Sequence, residues 1–326
     1  MEAVVLDAHG DESVLKLGDV PAPALRAGSI RIATRAAGVN RGDLLQRQGL
    51  YPPPPGASEI IGLECAGDVV AVADDVSGWS PGDRVMALLS GGGYASEAVV
   101  DAGSVMPIPD ALSYTEAAAL PEVMLTVYRN VWQLGELPRG GAVLVHGGGS
   151  GIGTATIQLV NAWKGTVIVT AGSADKCKRC LDLGAHAAAN YNDDDFVEVA
   201  KQATQGRGVD LVLDSIGAAY LAQNLACLAL EGRLVLIGLM GGAKTEINLS
   251  ALMLRRLRVI GSTLRALSEE QKAGVVNGFQ QTFGESLRSG AVRPIVDTVF
   301  PLAEAARAHR LMKASTHFGK IILEVG

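Results

Sequence analysis

The segment Val143-Leu144-Val145-His146-Gly147-Gly148-Gly149-Ser150-Gly151-Ile152-Gly153-Thr154 constrains the fold of this chain more than any other. A short apolar run passes into a glycine cluster and then into a helix start. Glycines let the backbone turn tightly and approach a pyrophosphate without side-chain hindrance. The first N–H groups of the helix, with the positive end of its dipole, then face the anion. The match to G-x-G-x-x-G is imperfect, because Ser150 stands where the middle glycine would be if Gly148 and Gly153 are the outer two. Standing alone, such a cluster can be a tight turn with no ligand. Its place on the first strand of a long alternating region favours the dinucleotide reading.

That region has short apolar runs at 143–146, 166–170, 187–190, 209–214, 232–237 and 258–263. Helix-like segments lie between them at 154–163, 175–183, 196–203, 220–230 and 249–257. Six strands separated by helices predict a doubly wound parallel sheet. Residues 1–122 read differently: strands such as 29–36, 67–73 and 83–89 are punctuated by Gly and Pro, as in an antiparallel, partly closed β domain. After residue 265 come a helix (268–287) and strands at 295–300 and 319–325. The last run is placed to complete the first domain. The expected division is therefore 1–122, 123–264 and a return at 265–326, with the parallel sheet inserted in the β-rich domain.

Composition narrows the function classes. With 48% hydrophobic and 19% charged residues over 326 positions, the chain is an ordinary globular one. A net charge of −6 and a pI near 5.4, without a long basic run, argue against a nucleic-acid partner. No stretch reaches the roughly 18 apolar residues of a membrane span. The N-terminus reads as the first strand rather than a signal segment, so a cytoplasmic protein is expected. Cys65, Cys177, Cys180 and Cys227 are too few and too scattered for a disulfide framework.

The end of the second strand bears on the choice of dinucleotide. An Asp or Glu there bonds the ribose 2′-hydroxyl of NAD. This chain has Thr170-Ala171-Gly172-Ser173-Ala174-Asp175-Lys176. Small residues, a hydroxyl and Lys176 leave room and positive charge for a 2′-phosphate, while Asp175 fits the first turn of the next helix. NADPH is the expected cofactor.

Together these features resemble the zinc-free quinone oxidoreductase branch of the medium-chain dehydrogenase/reductase superfamily, over essentially the whole chain. The carriers are Ala37–Asp43, Gln46–Ser58, the glycine turn, Thr170–Ser173, Gly238–Gly242 and Gly319–Leu323. The second and fifth of these look especially like its stress-inducible, tumour-suppressor-pathway subgroup, which also has Ser at the position of Ser150. The resemblance implies a GroES-like catalytic domain carrying a Rossmann domain, a homodimer, and NADPH in the cleft between domains. It would set Ser150 and Ile152, beside Gly148, Gly151 and Gly153 of the turn, against the pyrophosphate. Ser173, Lys176 and Tyr191, next to Gly172, would surround the 2′-phosphate. Ser215, Gly238, Leu239, Met240, Leu264 and Arg265 would flank the nicotinamide and ribose side, with Thr126 near the nicotinamide amide and His317 facing the cofactor.

Zinc-dependent relatives have a ligand Cys where this chain has Asn40, and Gly-His-Glu where it has Gly62-Leu63-Glu64. Cys177-Lys178-Arg179-Cys180 has no second pair to complete a tetrahedral site, and its thiols are expected to pack a helix. No metal is expected. Without a Lewis acid the acceptor must take hydride readily, as a quinone or an activated enone or 2-alkenal does. Catalysis is then largely positioning. Asn40, Asp43 and Tyr51 are the candidates for contacting the acceptor. Asn40 and Asp43 could instead cap a turn or helix, and Tyr51 could lid a core. His146 is expected to be a packed residue rather than a base.

Overall fold

The computed structural model describes all 326 residues, which divide into two units. Met1–Leu125, Leu264–Arg288 and Pro294–Gly326 form unit 1; Thr126–Thr263 and Ser289–Arg293 form unit 2.

Unit 1 begins with β1 (Glu2–Leu6), β2 (Leu15–Asp19), β3 (Ser29–Val39), α1 (Arg41–Arg47), β4 (Glu64–Val72), β5 (Arg84–Leu88), β6 (Glu97–Asp101) and β7 (Val105–Pro107). After these come α2 (Tyr114–Ala117) and α3 (Pro121–Tyr128). Side chains of a strand alternate between faces, so Ile30 and Ile32 of β3 meet Val69, Val85, Ala98 and Val100 in one core cluster. Each such apolar side chain fully removed from water contributes about 1.5–3 kcal/mol.

Unit 2 contains β8 (Ala142–His146), α4 (Gly151–Ala162), β9 (Thr166–Ala171), α5 (Ala174–Asp182), β10 (Ala187–Asn190), α6 (Phe196–Ala203) and β11 (Val209–Asp214). It ends with α7 (Leu221–Cys227), β12 (Leu228–Leu236), α8 (Leu249–Arg255) and β13 (Arg258–Gly261). The sheet order is β10-β9-β8-β11-β12-β13, and every neighbouring pair is parallel. Taking strands in chain order this is 3-2-1-4-5-6, the doubly wound arrangement the alternation predicts. One boundary moves. The run Leu228–Leu230 is strand rather than helix, because β12 starts against Val209 and then bulges at Glu231, whose φ is 63°. A three-residue apolar run does not separate the two periods.

The chain returns to unit 1 through α9 (Glu269–Arg288), β14 (Val296–Pro301), α10 (Ala305–Ala314) and β15 (Lys320–Glu324). β15 pairs antiparallel with β3, so the final apolar run does complete the first sheet. Its other neighbour, β14, is parallel to it, a departure from the all-antiparallel expectation. No helix is long and apolar enough to cross a membrane.

Gly38 of β3 shows how closely this sheet's interior is fitted. A Cβ there would lie 2.6 Å from the Glu64 carboxyl carbon and 2.7 Å from the Ala118 carbonyl oxygen. The buried carboxylate of β4 therefore lies over a strand position that has no side chain. Gly38→Ala should displace Glu64 from its partner Lys320 and lower stability by about 3–5 kcal/mol, the usual consequence of breaking a buried pair. A fall in the urea midpoint at unchanged m-value would register this, and an unchanged midpoint would refute it.

Candidate active site

In unit 2 the geometry at the carboxyl ends of β8 and β9 follows from the glycines. Gly147 has φ 75°, and a Cβ on Gly153 would collide with the carbonyls of Gly147 and Gly148. The first turn of α4 thus packs backbone against backbone on the loop that precedes it. Ser150 is the N-cap, its Oγ accepting from the Gly153 N–H at 3.1 Å. Ser150 therefore completes the turn locally, which is why a serine serves where the motif has glycine. The Gly151 and Ile152 N–H groups, first in the helix, stay outside the intrahelical ladder. They lie beside the switch between β8 and β11, where open α/β sheets bind ligands. This cradle fits a dinucleotide pyrophosphate.

At the end of β9, Ser173 caps α5 by accepting from the Lys176 N–H at 3.2 Å. Asp175 is an exposed first-turn residue of α5, as expected. A Cβ on Gly172 would lie 2.8 Å from Cζ of Tyr191, so the tyrosine ring closes over a bare backbone. Asn192 donates to the Gly172 carbonyl at 3.0 Å, a contact that sequence reading missed. Ser215 and Gly238 are neighbours: a Cβ on Gly238 would come within 3.3 Å of the Ser215 Cα, and the Met240 N–H donates to the Ser215 carbonyl. Leu239 and Met240 are exposed. Thr126 is buried in α3 and its carbonyl accepts from Asn130.

His146 is buried and packed, as expected. It contacts Thr170 Oγ1 at 3.0 Å and Asn224 Oδ1 at 2.7 Å, and Asn224 donates to Asp214. Burial pushes the imidazole pKa down and the Asp214 carboxyl up. The network links the ends of β8, β9 and β11. Burial likewise raises the Cys177 thiol and pushes Cys180 up to about 12, so this C-x-x-C pair is poor in reactive thiolate.

In unit 1, Asn40 and Asp43 are brought together at the start of α1, though not as a paired acceptor contact. Lys320 Nζ donates to the Val39 carbonyl (3.0 Å), Asn40 Oδ1 (2.6 Å) and Glu64 Oε1 (2.6 Å). Asn40 Nδ2 donates back to Glu64 Oε1 at 2.8 Å, and Glu64 Oε2 accepts from the Glu122 N–H. Both ends of the Asn40 amide are therefore engaged. Asp43, 0% exposed, accepts from the Asn40 N–H at 2.7 Å and from the Tyr94 hydroxyl at 3.0 Å. The expected acceptor contact of Asp43 is corrected to a helix cap, because no face of it reaches solvent. Glu64 and Lys320, both buried charges in apolar runs, are the residues the sequence reading passed over.

Behind Asp43 lies a polar chain. Arg47 Nη1 donates to His309 Nδ1 (3.3 Å), leaving His309 Nε2–H for the Tyr94 oxygen (3.1 Å) and the Tyr94 hydroxyl for Asp43. Burial, reinforced by Arg47, drives His309 down to about 3, which keeps the ring neutral in this direction of donation. Tyr51 is half-buried; a Cβ on Gly42 would lie 3.4 Å from its ring. The Arg265 guanidinium is 5.0 Å from its centroid. Arg265 is buried within unit 1, bonded to Gln46, Tyr51 and Ser90. Leu264 and His317 are also buried in unit 1.

Residues 26–110 match the alcohol dehydrogenase GroES-like domain, and residues 151–278 match the zinc-binding dehydrogenase family. The quinone oxidoreductase of Rattus norvegicus is 32% identical, covering 99% of this chain and 97% of its own. The chain belongs to the quinone oxidoreductase branch of the medium-chain dehydrogenase/reductase superfamily. It is an oxidoreductase with a nicotinamide cofactor. The Escherichia coli quinone oxidoreductase complexed with NADPH superposes with a TM-score of 0.88 at 29% identity, covering 99% of this chain and 100% of the other. The CurK enoyl reductase superposes at 0.86 and 27% identity, covering 100% and 99%. No three His, Cys, Asp or Glu side chains gather as a metal-holding group.

Burial pushes the Asp43 carboxyl from 3.8 up to about 7. A raised acid pKa means the folded state holds the proton longer than the unfolded chain. The associated stability is full below about pH 4 and is lost as pH rises through about 7, up to about 4 kcal/mol in total. Asp43→Asn should abolish that slope. Denaturant midpoints between pH 4 and 8 check it, and parallel curves for the two proteins would refute it.

Proposed function

We propose that the protein reduces quinones with NADPH and without a metal. The observation that carries this reading is the end of β9, where Ser173 and Lys176 stand beside Gly172 and the exposed Tyr191, with no carboxylate at the ribose-bonding position. Gly148, Ser150, Gly151, Ile152 and Gly153 would hold the pyrophosphate. Ser173, Lys176 and Tyr191 would hold the 2′-phosphate, and Thr126, Ser215, Gly238, Leu239 and Met240 would line the nicotinamide side. When held there, NADPH would supply the hydride. This chain's own contribution is orientation: Tyr51 offers a ring for a planar acceptor and a phenol that burial keeps protonated, able to donate to a quinone oxygen. Asn40, locked by Lys320 and Glu64, shapes the floor of the same region rather than offering a free amide.

A homodimer is supported by β13, the outer strand of the parallel sheet, whose Val259 is exposed together with Leu249, Met253 and Leu254 of α8. The second reading, an NADPH-dependent enone or 2-alkenal double-bond reductase, is favoured by the likeness to the CurK enoyl reductase.

Purified protein with NADPH should reduce ortho- and para-quinones faster than a 2-alkenal. Efficient alkenal reduction with quinones left untouched would replace the first reading by the second. Lys176→Ala should raise the KM for NADPH about tenfold while leaving that for NADH nearly unchanged, a loss of about 1.4 kcal/mol. Equal effects on the two cofactors would remove the 2′-phosphate assignment.

A further inference from the structure

We propose that Arg265 is the positioning residue for Tyr51, fastening both ends of the proline loop so that the tyrosine ring is held ready for a planar acceptor. This rests on the reading that Tyr51 contacts that acceptor. The need for such a residue follows from the loop itself. Pro52, Pro53, Pro54 and Pro55 have no N–H group, so the segment offers carbonyls but almost no donors with which to fasten itself. Within it the Ala57 N–H to Pro54 carbonyl bond closes one turn. Fastening must come from outside.

The Arg265 fork supplies it. Nη1 donates to the Tyr51 carbonyl at 3.0 Å, Nε to the Ser90 carbonyl at 2.8 Å, and Nη2 to Gln46 Oε1 at 2.7 Å. A guanidinium can only donate, so the Gln46 amide must turn its oxygen toward Arg265 and its nitrogen outward. That nitrogen donates to the Glu59 carbonyl at 2.9 Å. One cation therefore fixes the loop at Tyr51 directly and at Glu59 through Gln46. Its Cζ also lies 5.0 Å from the Tyr51 ring centroid, within cation–π range. Arg265 is 5% exposed and makes no ion pair, so no carboxylate competes for the fork. Lys272 donates to the Ser90 hydroxyl, so Ser90 is itself held in place. A lysine at 265 could not span three acceptors in three directions, because its ammonium is a point donor on a flexible stem.

The test is a double-mutant cycle with phenanthrenequinone as acceptor: wild type, Arg265→Gln, Tyr51→Ala and the double variant, each with KM and kcat for quinone and for NADPH. Arg265→Gln should raise the quinone KM about tenfold, a loss of about 1.4 kcal/mol, with the KM for NADPH changed less than about twofold. In the Tyr51→Ala background the same substitution should have almost no further effect, because the group it positions is gone. Arg265→Lys, which keeps the charge, should fail to rescue. Equal losses in both backgrounds overturn the inference while leaving Tyr51 in place. A KM for NADPH that rises in step with that for quinone overturns it too and returns Arg265 to the cofactor. No effect of Tyr51→Ala on quinone overturns the Tyr51 reading and this inference with it. If Arg265→Gln does not fold, Gln46→Leu cuts the relay to Glu59 and leaves the guanidinium; a raised quinone KM supports the inference and an unchanged one overturns it.

Discussion

An ammonium and a carboxylate buried side by side are tolerated only when each satisfies the other and the remaining donors and acceptors find partners nearby. In unit 1 that requirement falls on Lys320 of β15 and Glu64 of β4, which are not neighbouring strands. They meet across β3, and they can do so because Gly38 carries no side chain between them. The arrangement then dictates its surroundings. Asn40 must turn its oxygen to the lysine and its nitrogen to the glutamate, and the Glu122 N–H at the start of α3 must face Glu64. Of the residues that read from sequence as a substrate-contacting cluster, Asn40 is a wall of this charge pair, and Asp43 bonds the Asn40 N–H beside it. A buried pair of this kind adds little net stability over an apolar replacement, and removing one member is severe. Its value here is geometric, since it aligns three elements at the start of α1.

Unit 2 meets a different demand with different means. An anionic cofactor needs donors that no side chain covers, and the turn between β8 and α4 has such donors in its backbone alone. The polar side chains close by are turned inward: His146, Thr170, Asn224 and Asp214 bond one another and hold the ends of three strands together. Reactive-looking groups are thus buried for scaffolding, while the turn itself is made of glycine, serine and main-chain N–H. The same economy recurs at β9, where a serine caps α5 and a bare glycine lets the Tyr191 ring lie against the backbone.

Much of this was legible in the sequence, because each feature depended on residues close together along the chain. The parallel sheet declared itself through repeated strand–helix alternation, and the glycine turn through contiguous residues. The first-turn role of Asp175 followed from its distance to Ser173. What escaped was non-local or ambiguous. Leu228–Leu230 suits either period, and only pairing with Val209 makes it strand. Asp43 carries the same signature whether it meets a ligand or caps a helix; Tyr94 and the Asn40 N–H, one of them far along the chain, decide the matter. Lys320 did leave a trace, as a lone charge in the apolar run Gly319–Leu323, and so did Glu64 in its own. Two opposite charges stranded in separate strand patterns are a readable signal for a buried pair.

Arg265 marks the reach of local reading. Its position just after the last strand of the parallel sheet points to the cofactor, while its side-chain donors go to Gln46, Tyr51 and Ser90 of unit 1. These partners lie some two hundred residues away, and no local pattern announces them. The family can therefore be read from the sequence while the acceptor cannot. The glycine turn is written in one contiguous stretch, whereas the loop that carries Tyr51 is held by groups from α1, the end of β5 and the start of the return segment. Changes at any of those distant positions would reshape the acceptor region without altering the glycine turn, so one scaffold can serve quinones in one member and enoyl groups in another.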